Sequence, residues 1–207
     1  MNITLAHQSV PHDAPPDERD VLDQAAAIRE ALTGLGHTVS TLPCDTDLGN
    51  VRRKLEVLKP ACVFNLVETL EGSAQLIHLA PATWEKAGFA FTGSSAEALY
   101  LTTHKLLAKE RLRSAGLPVP DWVAGTPPDA PCATEPGDWI VKSVWEHASI
   151  GLDDTSVLRG LTPGEVRQRL PPGAFAERFI DGREFNLALL AGPHGPQNLP
   201  QIGRAHV

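Results

Sequence analysis

An open parallel α/β sheet followed by a smaller α+β unit is the architecture this sequence predicts. Three observations predict it. Over the first hundred residues short apolar runs alternate with amphipathic stretches, the pattern of right-handed βαβ units. The run ACVFNLV (residues 61–67) is continuously apolar, as suits a strand covered on both faces of a parallel sheet. After a Pro- and Gly-rich connection at residues 117–138, the texture changes to short strands with one helix.

The elements follow in order. NITLAH (2–7) reads as a strand. Residues 17–35 read as a helix, with Val21, Leu22, Ala25, Ile28, Leu32 and Leu35 at helical spacing and Gly36 as its C-cap. HTVSTLP (37–43) is a second strand, and 48–58 a second helix stopped by Pro60. The strand at 61–67 is followed by a helix at 74–87 and then by FAFTG. Residues 101–115 form one strong helix capped by Gly116. In it Leu106, Leu107 and Leu112 face inward while Lys105, Lys109, Glu110, Arg111 and Arg113 face solvent. The connection at 117–138 carries little regular structure. DWIVKSVW (138–145), TSVL (155–158), AFAERFI (174–180) and EFNLALL (184–190) are short strands, with a helix at 163–170. The domain boundary falls near residue 98, giving domains 1–98 and 99–207.

Composition narrows the function. Apolar residues make up 42% and charged residues 21%, a globular balance. The formal net charge of −7, with no basic run, disfavours nucleic acid and anionic membranes as partners. No apolar run reaches the length of a membrane span, and the N-terminus lacks the pattern of a signal peptide, so a soluble cytoplasmic protein is expected. Cys44, Cys62 and Cys132 are isolated, which excludes a disulfide scaffold and gives no zinc signal; Cys62 reads as a small core residue.

The familiar phosphate-loop, dinucleotide, zinc-protease and serine-hydrolase motifs are absent, and the histidines show no ligand spacing. Four local features remain. Lys105 begins a helix, where a solvated charge is the simpler reading. Lys142 sits inside an apolar strand, where an ammonium needs a carboxylate or a ligand phosphate. The polar stretch Glu146-His147-Ala148-Ser149-Ile150-Gly151 follows it, either a hairpin loop or a backbone cradle for phosphate oxygens. In AERFIDGREFNLALL, Glu177 and Glu184 flank the turn Asp181-Gly182, as hairpin surface charges or as acceptors for the polar edges of a nucleoside.

In that order the features resemble the ATP-grasp ligases, and among them the D-alanine–D-alanine ligase-like enzymes. The segments that carry the resemblance are VFNLVETLEG, GFAFTGSSAEALYLTTHKLLAKERLRSAGLPVPDWV, WIVKSVWEHASIGL and AERFIDGREFNLALL, spanning roughly residues 61–190. The resemblance implies a pre-ATP-grasp α/β domain and an α+β ATP-grasp domain that grips ATP. It implies that Lys105 and Lys142 contact the phosphates and that the loop Glu146 to Gly151 closes over them, with Ser149 supplying the hydroxyl. Glu177 would meet the adenine amino group, the backbone of Arg178 to Ile180 the adenine edge, and Glu184 the ribose hydroxyls. Glu18 resembles the glutamate that holds the first amino acid's ammonium, and Glu68 borders the substrate. The implied reaction phosphorylates a carboxylate to an acyl phosphate, which an amine then attacks, with Mg²⁺ and the lysines neutralising charge. D-Amino acids for peptidoglycan are the implied substrates, and a homodimer is possible.

The chain also departs from the standard ligases. HQSVPHDAPPDERD replaces their N-terminal glycine-and-serine motif, His147 and Ala148 stand in the phosphate loop, and LVETLEG replaces a histidine-containing stretch. Another ATP-grasp amide ligase and a non-catalytic nucleotide-binding protein are the alternative readings. The segment that supplies the magnesium ligands in relatives is expected beyond this chain, leaving the ATP-grasp domain incomplete and the fragment inactive alone. Ile202-Gly203-Arg204-Ala205-His206-Val207 back-translates as ATC GGA AGA GCA CAC GTC, the text of a common sequencing adapter, so residues 202–207 are expected to be non-native.

Overall fold

The computed structural model describes residues 1–14, 16–125, 134–147, 151–183, 185 and 187–199, the side chains of 16–18 and 154 excepted. Strand β1 (Asn2–Gln8) lies between β2 (Thr38–Cys44) and β3 (Cys62–Leu66) and pairs in parallel with both. A parallel bridge from Val63 to Phe91 extends the β3 side. Every residue of β1 after Asn2 is buried, so β1 is the strand covered on both faces. The 61–67 run was expected there, but of β3 only Val63 is fully buried, because β3 lies outside the sheet centre.

Helix α1 (Pro16–Gly34) covers one face through Val21 and Ala25. It ends as expected at Gly36, whose φ of 82° lets His37 N–H reach the Leu32 carbonyl at 3.1 Å. Leu22 is exposed rather than buried, and Leu35 lies past the helix end. On the other face α2 (Leu48–Leu58) and α3 (Leu79–Ala87) pack Val51, Leu55, Ala80 and Trp84 against Ala6, Leu42 and Val63. The predicted helix 74–87 is instead a 3-10 turn (Ala74–Leu76) followed by α3. Pro81 has no N–H, and its ring excludes the helical carbonyl of Ile77, so one continuous helix cannot form. Of the described cysteines it is Cys44 that is core; Cys62 is only half-buried.

The single helix expected at 101–115 is also two. α4 (Ala96–Thr103) and α5 (Lys105–Ser114) meet at His104, whose backbone is extended (φ −78°, ψ 96°). The break has a cause: the Lys105 amide donates to the Val144 carbonyl at 3.0 Å instead of to its own helix, and the His104 ring accepts from the Leu107 amide at 3.2 Å as an N-cap. Residue 98 therefore falls inside α4.

The second sheet is antiparallel, in the order β4 (Trp122–Ala124), β7 (Ala174–Arg178), β5 (Gly137–Ser143), β6 (Val157–Leu161). The connection at 117–138 thus contains a buried strand, β4. Side-chain alternation divides the sheet into two cores. Trp122, Ala124, Val144 and Phe175 pack with Leu106 of α5 on one face. Val123, Trp139 and Ala176 pack on the other with Val166 of α6 (Pro163–Arg169). α6 begins with a capping box between Thr162 and Glu165. β8 (Leu189–Gly192) and β9 (Gly195–Asn198) form a separate hairpin. Of the predicted strand 184–190, only Leu189 and Leu190 are in β8, and β7 makes no hairpin with it because β4 and β5 already flank β7.

Candidate active site

The site grows from one face of the second sheet. Ile140 of β5 stands opposite Glu177 of β7, and Lys142 lies two residues on, so Lys142 and Glu177 are diagonal neighbours on the same face. Their side chains meet at 2.7 Å. The strand lysine therefore has the anion that its apolar setting demanded, a carboxylate from the neighbouring strand. α5 lies across this face and contributes two lysines one turn apart. Lys109 Nζ is 2.6 Å from the other Glu177 oxygen. Lys105 Nζ donates to the carbonyl oxygen of Glu146.

Lys109 was expected in solvent, yet it is 7% exposed. The face of α5 that carries Lys105 also carries Lys109, and that face is the one pressed against the sheet. Leu112, expected inward, is exposed instead. The i,i+4 spacing of the two lysines was the available signal for Lys109. What concealed it was Glu177, distant in sequence.

The segment after β5 is shaped by Ser143, whose hydroxyl accepts from the amides of Trp145 (3.3 Å) and Glu146 (3.1 Å). Trp145 stacks edge-on with the capping ring of His104, centroids 4.4 Å apart. Tyr100 lies 5.7 Å from Trp145 and 5.0 Å from His78, which carries the contact back to the first unit. The loop and the first turn of α5 are thus held to each other by backbone, lysine and ring.

Electrostatics follow from this packing. Burial pushes the Glu177 carboxyl up, but hydrogen bonds and charge from Lys109 and Lys142 more than offset it and hold the group below the usual glutamate value. Burial pulls Lys105 below its ordinary value, with Glu146 opposing and Lys142 adding to the fall. His147 is likewise lowered by burial and by Lys105, while Glu146 and Glu68 act against the shift. Glu68 is exposed and follows β3, and its amide donates to the Gln8 side chain at the end of β1, 3.2 Å away. With strand order β2-β1-β3, this is the point where the chain reverses its direction across the sheet, where open α/β sheets place ligands. A recess of about 370 Å³ lies at these strand ends, lined by Gln8, Ser9, Cys44, Asp45 and Glu71 among others. A concavity of about 420 Å³ touches Lys142, Ser143, Gly151, Thr155, Ser156 and Arg169. The larger groove between α1 and β2, about 740 Å³, shares no residue with the lysine cluster.

The Arg178 side chain lies on the opposite sheet face, its guanidinium 4.2 Å from the Trp139 ring. The amides of Arg178 and Phe179 donate to Asp121 and Asp138 carbonyls, both at 2.9 Å. Among the described residues the Ile180 amide has no such partner, and the Ile180 side chain is exposed. Glu18 is in the first turn of α1, with its side chain outside the described residues. Ser149 and Glu184 also lie outside them. The fold thus brings Lys105, Lys142, Glu146 and Glu177 together, and Glu68 approaches from the first unit.

No protein-family model matches the chain. Curated relatives do. It is 29% identical over 185 residues to a D-alanine–D-alanine ligase of Synechococcus sp., covering 85% of this chain and 54% of that protein. It is 28% identical over 202 residues to the D-alanine–D-alanine ligase of Moorella thermoacetica, covering 91% and 62%. Among solved structures, the D-alanine–D-alanine ligase of Bacillus anthracis complexed with ATP superposes with a TM-score of 0.60 at 16% identity, over 88% of this chain and 60% of that one. The chain is similar in sequence to D-alanine–D-alanine ligases and shares their fold. This ligase-like chain spans about half to three fifths of the length of the curated relatives it matches. Its parallel sheet and its antiparallel sheet correspond to the predicted fold class.

Proposed function

We propose that this chain grips the triphosphate of ATP between α5, β5 and the segment after β5, as part of a ligase that joins a carboxylate to an amine. The observation that carries the reading is the convergence of Lys109 and Lys142 on one carboxylate, Glu177, with Lys105 beside them bonded to the Glu146 carbonyl, so that three lysines face the carboxylates of Glu177 and Glu146. An ordinary structural ion pair needs one lysine; three lysines facing two acids leave one positive charge that suits a further anion.

In this reading Lys105 and Lys142 hold phosphate oxygens, and the Glu146 carbonyl orients Lys105. The loop with Ser149 closes over the phosphates and excludes water. Glu177 accepts from the adenine amino group. The Arg178–Ile180 backbone, with the Ile180 amide as donor, reads the ring edge, and Glu184 takes the ribose. Glu18 and Glu68 lie on the amino-acid side, near the ends of β1 and β3. Residues 1–98 form that substrate domain and 99–207 the nucleotide domain, α4 lying at their junction. Magnesium would supply neutralisation of phosphate charge. Among the described residues no group of three or more His, Cys, Asp or Glu could hold a metal ion, so those residues do not fit the metal and no step is derived through it. D-Amino acid substrates, a role in peptidoglycan synthesis, a cytoplasmic setting and a homodimer belong to the same proposal. Among the described residues no helix is long and apolar enough to cross a membrane.

Calorimetric titration of the chain with ATP tests this. Lys142→Ala is expected to weaken binding about tenfold to a hundredfold, the range for a lost charge-assisted hydrogen bond. A chain that does not bind ATP, or whose binding ignores both Lys105→Ala and Lys142→Ala, overturns it.

A further inference from the structure

The two lysines on Glu177 are not equivalent. Lys109 Nζ lies 2.6 Å from Oε2, and its side chain is 9% exposed. It also donates to the Pro120 carbonyl at 3.2 Å and sits 5.3 Å from the centre of the Trp122 ring. Leaving Glu177 would strand this ammonium in an apolar core, which is strongly unfavourable. Lys142 Nζ lies 2.7 Å from Oε1 with a side chain 30% exposed. Among the described residues Glu177 is its only hydrogen-bonded partner. An incoming anion can therefore draw Lys142 away at small cost, and Glu177 keeps one counter-charge when it does.

We infer that Lys109 is a positioning residue: it anchors the Glu177 carboxylate, so that Lys142 can exchange Glu177 for a phosphate while Glu177 stays in place to receive an amino group. The inference rests on the ATP reading above and adds a division of labour between the lysines. Without nucleotide, Glu177 neutralises both lysines. With nucleotide bound, Lys142 turns to the phosphate and Lys109 alone holds the acid. Among the described residues of α5, Lys105 is bonded to the Glu146 carbonyl and also feels Glu177, and Arg113 lies over the Trp122 ring and pairs with Asp121.

The test compares Lys109→Met, Lys109→Arg and Lys142→Met in the whole chain by two readouts. The first is titration of the Glu177 carboxyl by ¹³C NMR, assigned with Glu177→Gln. The second is the ratio of affinities for ATP and for inosine triphosphate, which lacks the amino group. Lys142→Met is expected to leave Glu177 titrating below an ordinary glutamate and to keep the ratio, while weakening both nucleotides alike. Lys109→Met is expected to raise the carboxyl's titration and to lower the ratio about tenfold, as loss of one positioned hydrogen bond to a charged acceptor would. Lys109→Arg restores both. A purely structural lysine would weaken both nucleotides and leave the ratio unchanged, which overturns the inference. If Lys109→Met does not fold, Lys142→Met still decides: a Glu177 that reverts to ordinary titration without Lys142 is not anchored by Lys109. A wild-type chain that binds neither nucleotide overturns the ATP reading and the exchange together, and the titration then separately decides the anchoring.

Discussion

Glu177→Gln isolates the charge of the site from its shape. The side chain keeps its volume and one carbonyl acceptor, and loses the negative charge. Two ion pairs end. The pair with Lys142 is 30% exposed on the lysine side, and such a pair contributes about 0.2–1 kcal/mol. The pair with Lys109 is different, since that side chain is 9% exposed and its acid 15%. Removing one member of a buried pair costs about 3–5 kcal/mol, because the remaining charge is uncompensated. The retained amide oxygen and the Pro120 carbonyl place the buried pair near the lower end, so the loss is about 3–4 kcal/mol in total. Urea unfolding followed by tryptophan fluorescence measures it, since Trp122 and Trp139 are fully buried in the affected sheet. The double variant Glu177→Leu/Lys109→Met should recover most of the loss, because it removes the stranded charge as well as the acid. A Glu177→Gln loss below about 1 kcal/mol, or a double variant no better than the single, would refute the account of Glu177 as the acid of a buried pair.

Three more outcomes are expected. Glu177's folded carboxyl titrates below its unfolded value of 4.5, so its contribution to stability is present above that pH and lost as the pH falls through the folded value. The acid limb of a stability–pH curve should therefore flatten in Glu177→Gln, and an unchanged limb would count against the coupling. Leu55→Ala removes a fully buried side chain between α2 and the parallel sheet and should cost about 3 kcal/mol by chemical denaturation; a loss under about 1 kcal/mol would mean that core is loosely packed. Burial pushes the Cys44 thiol up to about 12, so alkylation at pH near 8, read by mass spectrometry, should mark Cys44 only after unfolding. Labelling of native Cys44 as fast as Cys62 would contradict its burial.

Local chemistry made much of this chain legible. Helix α2 falls on its predicted bounds because Pro60 stops it and its apolar positions have helical spacing. Gly36 and Gly116 end helices as read, since only their positive φ, 82° and 76°, permits those caps. Lys142 was singled out from residue type, because a lysine in an apolar strand demands an anion wherever it is found, whereas the roles of Lys105, Glu146 and Glu177 came from the family resemblance. Three features could not be read this way. The break at His104 depends on the Val144 carbonyl, forty residues away just past the end of β5. β4 hides in a Pro-rich connection because its three residues acquire strand geometry only by pairing with β7.

Lys109 is the clearest case of the third kind. Periodicity placed it among charged neighbours on a helix, and its i,i+4 spacing from Lys105 is the one local feature that separates it from Glu110 or Arg111. Its burial comes from Glu177, Pro120 and Trp122, brought together by the docking of α5 on the sheet. Chain order and side-chain chemistry thus specified most of the elements and the fold class, and showed that Lys142 needs an anion. Which of the two Glu177-paired lysines is buried and which stays partly exposed was decided by the packing of α5 on the sheet. Desolvation depends on what packs against a group from remote parts of the chain, and sequence spacing does not carry that information.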